Sequence, residues 1–118
     1  MAVSGRIDSL MESSFYGKQN IYNGDDVNIS CFSLEPLLYI PWISHSGTHI
    51  IRVDSGNGTL QFGCDNSIKT ISLEKGVLSI IPKNIPHCIQ NTAMTIPLKF
   101  TSTLVNSVNI NLNLSSRI

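Results

Sequence analysis

The segment Gly76–Asn91 has the sequence GVLSIIPKNIPHCIQN. Its apolar run Val77–Ile81 has the length and the β-branched side chains of a strand. The next five residues, Pro82–Pro86, begin and end with proline, which cannot donate to a strand ladder, so they are predicted to form a loop. A second strand is predicted to begin at His87, which shares a face with Ile89 because alternate residues of a strand lie on the same side. The segment therefore predicts two strands joined by a loop, with one histidine facing inward.

The same alternation of strands and turns extends in both directions from this segment. The clearest pair is Thr48–Asp54 and Thr59–Cys64, which flank Ser55-Gly56-Asn57-Gly58 and predict a β-hairpin. Leu37–Trp42 follows Pro36 and contains Pro41, so it is predicted to be an edge strand or a corner rather than a central strand. The other predicted strands are Val27–Leu34, Ile68–Leu73, Leu98–Leu104 and an alternating segment over residues 108–114. About eight short strands predict a closed or nearly closed antiparallel barrel or sandwich, because closure removes exposed edges.

The first part of the chain has a different pattern. Ile7, Leu10, Met11 and Phe15 recur at helical spacing, so a short helix is predicted within residues 1–17. The β-barrel is predicted to span residues 27–114, and the 118 residues are expected to form one domain.

Composition excludes several classes of function. Eight lysines and arginines balance eight aspartates and glutamates, and no cluster of basic residues is present, so direct contact with nucleic acid is not expected. No apolar run approaches the length of a membrane span, and the N-terminus lacks a secretion signal, so a cytoplasmic protein is expected. The three cysteines are an odd number without close pairing, and no disulfide framework is predicted.

Three histidines are the candidate chemical groups: His45, His49 and His87. If residues 43–53 form one extended stretch, His45 and His49 share a face, and both look into the barrel. Three imidazoles in an apolar cavity could hold zinc, iron, nickel, copper or manganese with an open coordination position. The alternative is that each histidine is hydrogen-bonded to a neighbour in the core, and Gly47 could interrupt the strand and end the shared face.

The segment Gly76–Asn91 resembles the second cupin motif, G-x5-P-x-G-x2-H-x3-N, with Asn84 in place of the motif's second glycine. Asn tolerates the left-handed backbone that glycine provides there. The first cupin motif, G-x5-H-x-H-x3-4-E-x6-G, is partly present: His45 matches its second histidine, and His49 falls where its glutamate is expected. The resemblance implies a single cupin-type antiparallel β-barrel, or jelly-roll. It also implies that the usual metal tetrad is incomplete in this chain.

Residues 6–91 further resemble the N-terminal, effector-binding cupin domain of AraC-type transcription regulators. The resemblance rests on the predicted N-terminal helix, on Thr48–Val53 before a glycine-containing turn, and on Leu73–Pro82 followed by Pro86-His87. It implies a sensor domain that binds a small molecule and forms a homodimer. The helix-turn-helix pair that contacts DNA in that family has no counterpart in these 118 residues.

Three functions remain open from the sequence. In the first, a small molecule binds in the barrel mouth and contacts His45, His49, His87 and Trp42. In the second, the three histidines hold a divalent transition metal in a cupin enzyme. In the third, side chains fill the barrel and the domain is structural. The regulator-like resemblance and the missing carboxylate favour the sensor and disfavour an enzyme.

Overall fold

The computed structural model describes residues 17–106, and within this range the chain forms β-strands joined by turns and loops. The strands are β1 (Gly17–Asn23), β2 (Val27–Leu34), β3 (Tyr39–Ile43), β4 (Thr48–Ser55), β5 (Gly58–Phe62), β6 (Lys69–Leu73), β7 (Leu78–Ile81), β8 (His87–Asn91) and β9 (Leu98–Val105). The all-β, antiparallel prediction is thereby confirmed. The predicted helix within residues 1–17 and the alternating segment over residues 108–114 lie outside the described residues, except that Gly17 begins β1.

The strands form two antiparallel sheets. One has the order β1-β2-β9-β4-β7, and the other has the order β3-β8-β5-β6. Among residues 17–106 no strand pairing joins one sheet to the other, so the expectation of a closed barrel is corrected to two facing sheets with free edges. Strand β3 pairs with β8 alone, which agrees with the edge position that its prolines predicted. Over the same residues no helix is long and apolar enough to cross a membrane.

The predicted hairpin of β4 and β5 is wrong. The two strands are adjacent in sequence but belong to opposite sheets: β4 pairs with β7 and β9, whereas β5 pairs with β6 and β8. The end of β4 is bonded instead to the next turn, since Val53 N–H donates to Val77 O and Gly76 N–H donates to Val53 O. Gly56, with φ of 90°, lies where the chain passes from one sheet to the other. A side chain at this position would collide with the carbonyl oxygen of Pro97. A short turn pattern does not reveal which of these two routes the chain takes.

The predictions also missed β1, whose asparagines resemble a turn in sequence. Strand β1 pairs with β2 from Gly17↔Ser33 to Asn23↔Asn28, with an irregularity between Asn20 and Tyr22. Its side chains are mostly exposed, because β1 is the edge of the five-stranded sheet. The hydrophobic pattern that identifies a buried strand is therefore absent.

The apolar core lies between the sheets toward one end of the strands. Its fully or nearly fully buried side chains are Ile51, Val53, Leu60, Leu73, Ile81, Ile89, Leu98 and Phe100. These residues come from both sheets and alternate with outward-facing residues, as in a two-layer β-structure. Burial of eight such side chains is the main stabilising contribution of this region.

A buried amide closes the connection between β8 and β9. Asn91 has no exposed surface, and its Nδ2 donates to Leu34 O and to Ile96 O, both at 2.9 Å. Its Oδ1 accepts from Ala93 N–H at 2.8 Å. One side chain thus satisfies three backbone groups that would otherwise be buried without partners. This contact gives a physical reason for an asparagine at the end of the Gly76–Asn91 motif.

Candidate functional site

At the other end of the strands the two sheets enclose a cavity of about 510 Å³ that opens to solvent. Apolar side chains form much of its wall, and amides and hydroxyls lie toward the β1 side. Its lining residues are Lys18, Asn20, Asn23, Asn28, Ser30, Phe32, Ile40, Ile43, His45, His49, Ile89, Phe100, Ser102 and Leu104. An open cavity of this size is within the usual range for small-molecule sites.

The structure brings all three histidines of the chain together at this cavity. One ring nitrogen from each of His45, His49 and His87 lies within 4.8 Å of the others. The ring centroids of His49 and His87 are 4.9 Å apart, and His45 lies 4.9 Å from His49 and 5.7 Å from His87. His45 and His49 line the cavity, whereas His87 is 1% exposed and lies behind them.

His45 reaches the cluster by a different route from the one that a continuous strand predicts. Strand β3 ends at Ile43 and β4 begins at Thr48, so His45 lies in the connection between them. Gly47 lies within this interruption, and a side chain there would collide with the carbonyl oxygen of Val105. Asn84 N–H donates to His45 O at 2.7 Å, which ties this connection to the loop before β8. Asn84 has φ of 65°, as its place in the motif predicted.

A continuous chain of hydrogen bonds fixes the orientation of the two buried rings. His87 Nδ1 lies 2.9 Å from Ile85 O, a carbonyl that can only accept, so His87 Nδ1 carries the proton. For neutral rings, His87 Nε2 then accepts from His49 Nδ1–H at 2.7 Å. His49 Nε2 in turn accepts from the Ser102 hydroxyl at 2.5 Å. Each nitrogen of the two rings therefore has one assigned role.

Burial favours the uncharged form of His45 and His49 by lowering the pKa of each. It lowers the pKa of His49 to about 3, and the neighbouring His87 and His45 add to the effect. Burial also lowers the pKa of His45, followed by the charges of His87 and Lys18. Both rings are accordingly neutral at physiological pH and carry a nitrogen lone pair.

These donors are chemically suited to a transition metal. Three neutral imidazoles form the ligand set of several open catalytic sites, and a histidine ligand commonly donates its second N–H to a carbonyl, as His87 does to Ile85. The 2.7 Å between His49 Nδ1 and His87 Nε2 is a hydrogen-bond distance. Two nitrogens of a tetrahedral site lie about 3.3 Å apart. To share an ion, the rings of His49 and His87 would therefore separate by roughly 0.6 Å, and the His49 proton would move from Nδ1 to Nε2, where it can donate to the Ser102 hydroxyl.

The order Ser102, His49, His87 also resembles a nucleophile, a base and an orienting group. A general base works best with a pKa near the working pH, and the pKa of His49 is lowered to about 3. His49 is thus a weak base at neutral pH. We interpret the hydrogen bonds as fixing the rings rather than as activating the Ser102 hydroxyl.

Sequence reasoning proposed Trp42 as a ligand contact, but the structure places it away from the cavity lining. Trp42 is 44% exposed and lines a separate shallow depression with Cys64, Ile68 and Pro86. Phe32 lines the cavity, whereas Tyr39 is 60% exposed. Cys31, Cys64 and Cys88 are all free thiols, and Cys88 does not bond to the histidine cluster.

The sequence analysis missed three contributors to the site. Ser102 was one polar residue in an ordinary strand pattern, and only the pairing of β4 with β9 brings it to His49. Lys18 and Asn20 belong to the strand that was missed. Their alternation, Lys18 and then Asn20 two residues later, was the one available clue, because residues two apart on a strand share a face.

Comparison with solved structures places this arrangement of strands among known folds. The chain is similar to a protein from Bacillus halodurans, with a TM-score of 0.78 and 22% identity over 86% of this chain and 79% of the other. It is also similar to an RmlC-like cupin family protein with a double-stranded β-helix fold from Methanocaldococcus jannaschii, with a TM-score of 0.72 and 16% identity over 94% and 95% of the two chains. This chain has the cupin fold.

A third structure agrees with this assignment. An uncharacterized conserved protein with a double-stranded β-helix domain from Klebsiella pneumoniae has a TM-score of 0.72 and 20% identity over 89% of this chain and 93% of its own. Comparison of the sequence alone with family models and with curated proteins finds no match. The cupin fold predicted from Gly76–Asn91 is thus confirmed by structure, and these similarities extend to the fold alone.

Proposed function

We propose that this chain is an effector-binding sensor domain that binds a small organic molecule in the cavity between its sheets. The observation that carries the proposal is the open cavity of about 510 Å³, in which apolar walls surround a few polar side chains. This combination is typical of small-molecule sites, because apolar contacts provide affinity while placed polar groups fix orientation. A structural domain with a filled barrel would leave no such volume.

A ligand in this cavity would touch elements that do not otherwise pair. Phe32 and Phe100 come from the five-stranded sheet, whereas Ile40 and Ile89 come from the four-stranded sheet. His45 belongs to the connection between β3 and β4. A molecule that contacts all three elements stabilises one relative placement of them, and a placement stabilised by ligand is the basis of a population shift.

We further propose that ligand binding by this domain regulates transcription, as in AraC-type regulators. The support for this is the sequence resemblance of residues 6–91 to that family's effector-binding domain. A homodimer is proposed on the same ground, with the apolar edge at β3 as the contact, since Leu37, Tyr39 and Trp42 are 53%, 60% and 44% exposed. Sedimentation of the protein with and without Tyr39→Lys tests the dimer, which this change should dissociate.

Thermal unfolding across a library of small organic acids, amines, sugars and neutral aromatics tests the sensor proposal. A ligand at one hundred times its Kd stabilises the folded state by about 2.7 kcal/mol, and the melting temperature rises accordingly. Leu104→Trp, which adds bulk to the cavity wall, is the matched variant and should abolish the rise. A library that leaves the melting temperature unchanged at saturating concentrations would contradict the proposal.

We propose a metal centre as the second candidate function, because His45, His49 and His87 present their ring nitrogens within 4.8 Å of one another. A bound divalent ion would supply a Lewis acid with open coordination positions. The chain holds His49 and His87 in fixed orientations through Ser102 and the Ile85 carbonyl. Burial also lowers the pKa of His45 and of His49, which favours the neutral form that ligation requires.

Elemental mass spectrometry on untagged protein tests this second candidate. The three histidines of the chain all belong to the cluster, so an imidazole-dependent signal reports on this site alone. Near-stoichiometric metal that His49→Ala removes would support the centre. Cys64→Ser is the control for metal held by the exposed thiol. Metal far below one ion per chain after growth in supplemented medium would contradict it.

A further inference from the structure

We infer that the cavity takes an organic carboxylate with an apolar, aromatic body, and that Lys18 and Asn20 of β1 bind its carboxylate group. The inference rests on the proposed function and specifies the class of ligand. Three observations carry it: the charge of the cavity lining, the hydrogen-bond state of Asn20, and the arrangement of two phenylalanine rings.

The permanent charge of the cavity lining is positive only. Among the described residues that line the cavity, Lys18 is the one permanently charged side chain, and none carries a carboxylate. The Lys18 ammonium lies over the Phe32 ring, 5.9 Å from its centroid, and both residues line the cavity. A cationic ligand would enter this space without a counter-charge, whereas an anionic ligand meets one.

Asn20 adds hydrogen-bond donors beside this charge. Its Oδ1 accepts from the Ser30 hydroxyl at 3.0 Å, so the amide oxygen is engaged within the protein. Its Nδ2 makes no hydrogen bond to another described residue, and the side chain is exposed at the cavity. Lys18 and Asn20 are two residues apart on β1 and share a face. An ammonium and an amide N–H on one face suit a carboxylate, which accepts at two oxygens.

The apolar part of the cavity is lined by side chains from both sheets. Phe32 and Phe100 pair across β2 and β9, and their rings are stacked with centroids 5.0 Å apart and planes within 3°. The opposite wall contains Ile40 and Ile89, which pair across β3 and β8. These two pairs form apolar walls of the cavity on opposite sheets, so the uncharged part of the ligand should be apolar. Phenyl ring edges carry partial positive charge and favour contact with an electron-rich π-system.

Binding of three probes of one shape tests the inference: cinnamate, cinnamamide and cinnamylamine, measured by titration calorimetry. Cinnamate should bind at least about tenfold more tightly than cinnamamide, in line with one charge-assisted hydrogen bond, and cinnamylamine should bind most weakly. Added salt should weaken the binding of cinnamate but not that of cinnamamide, since ions screen the attraction between Lys18 and the carboxylate.

Substitutions of two exposed lysines test whether Lys18 causes the preference for cinnamate over cinnamamide. Lys18→Met should bring the affinity for cinnamate to that for cinnamamide, whereas Lys18→Arg should keep the preference because it retains the charge. Lys75→Met, in the exposed turn between β6 and β7, is the matched control and should change neither affinity. Loss of preference in Lys75→Met as well would assign the effect to net charge and overturn the assignment to Lys18.

Two outcomes separate this inference from the proposed function. Equal affinity for cinnamate and cinnamamide, both abolished by Leu104→Trp, would overturn the carboxylate preference and leave the cavity as a binding site. Cinnamate binding that persists in Leu104→Trp would lie outside the cavity and would overturn the inference too. Absence of binding by all three probes would overturn it as well, and the wider library would then decide the sensor proposal. Ile43→Trp, at the partly exposed rim, replaces Leu104→Trp if that variant does not fold.

Discussion

Acidification from pH 7.5 to 5.0 should destabilise the metal-free protein by about 2 kcal/mol through His49 alone. Burial lowers the pKa of His49 to about 3 in the folded state, against 6.5 in the unfolded chain. Above pH 6.5 both states have a neutral His49 and the stability is fully present. Below pH 6.5 the unfolded chain binds a proton that the folded protein excludes, so the free energy of unfolding falls as the pH falls.

The magnitude depends little on the folded-state pKa. Between pH 7.5 and 5.0 the loss is governed by protonation of the unfolded chain at about 6.5, and a folded pKa one unit higher changes the result by less than roughly 0.1 kcal/mol. His45 acts in the same direction, because its pKa is also lowered. The 2 kcal/mol is therefore the share of one histidine within a larger total.

Urea unfolding at both pH values, with a chelator present, measures this effect. His49→Gln removes the titrating ring and keeps a polar side chain, so its loss of stability on acidification should be smaller than that of the wild type by about 2 kcal/mol. The double variant His49→Gln, Ser102→Ala is a second test if the single variant leaves the Ser102 hydroxyl without a partner. Equal pH dependence in wild type and variant would refute the claim that His49 is buried in its neutral form.

Three further predictions concern the fold, and each is checked by urea unfolding at pH 7.5. Asn91→Leu should cost about 2 to 4 kcal/mol, because it leaves the Leu34 and Ile96 carbonyls buried without a donor, and a loss below 1 kcal/mol would contradict this role. Leu60→Ala should cost about 2 to 5 kcal/mol, since Leu60 is fully buried in the core, while Ile80→Ser at an exposed site should change stability by no more than about 0.5 kcal/mol. Asn84→Gly should be tolerated and Asn84→Val should cost about 1 to 2 kcal/mol, because Asn84 has φ of 65°, and equal stability of the two variants would contradict a left-handed requirement.

The sequence predicted the elements of the fold more accurately than their partners. Val27–Leu34 and the loop Pro82–Pro86 agree with the structure, because local composition determines where a strand or a proline-bounded loop lies. The partner of β4 was wrong, since the turn at Gly56 is compatible with both a hairpin and a crossing between sheets. Strand pairing depends on contacts between distant segments, and a single sequence carries little information about those.

Of the candidate site too, the sequence predicted the parts that depend on local pattern and missed those that depend on tertiary contacts. The convergence of His49 and His87 followed from alternation on strands and from the Gly76–Asn91 motif. His45 joins them from a connection rather than from a strand, so its position depends on the bond from Asn84 N–H to its carbonyl. Ser102 becomes a partner of His49 only because β9 lies beside β4. These are tertiary relations, and no local pattern encodes them.

The passage of the chain from one sheet to the other between β4 and β5 also has a consequence for folding kinetics. Among the described strands, β1 with β2 and β5 with β6 are the sequence neighbours that pair, and the remaining pairings join strands separated by other strands. Each of those pairings requires a long loop to close before its contacts form. We therefore expect slow folding, on the order of milliseconds to seconds. Both sheets should appear in one cooperative step, because the core and the histidine cluster draw residues from each.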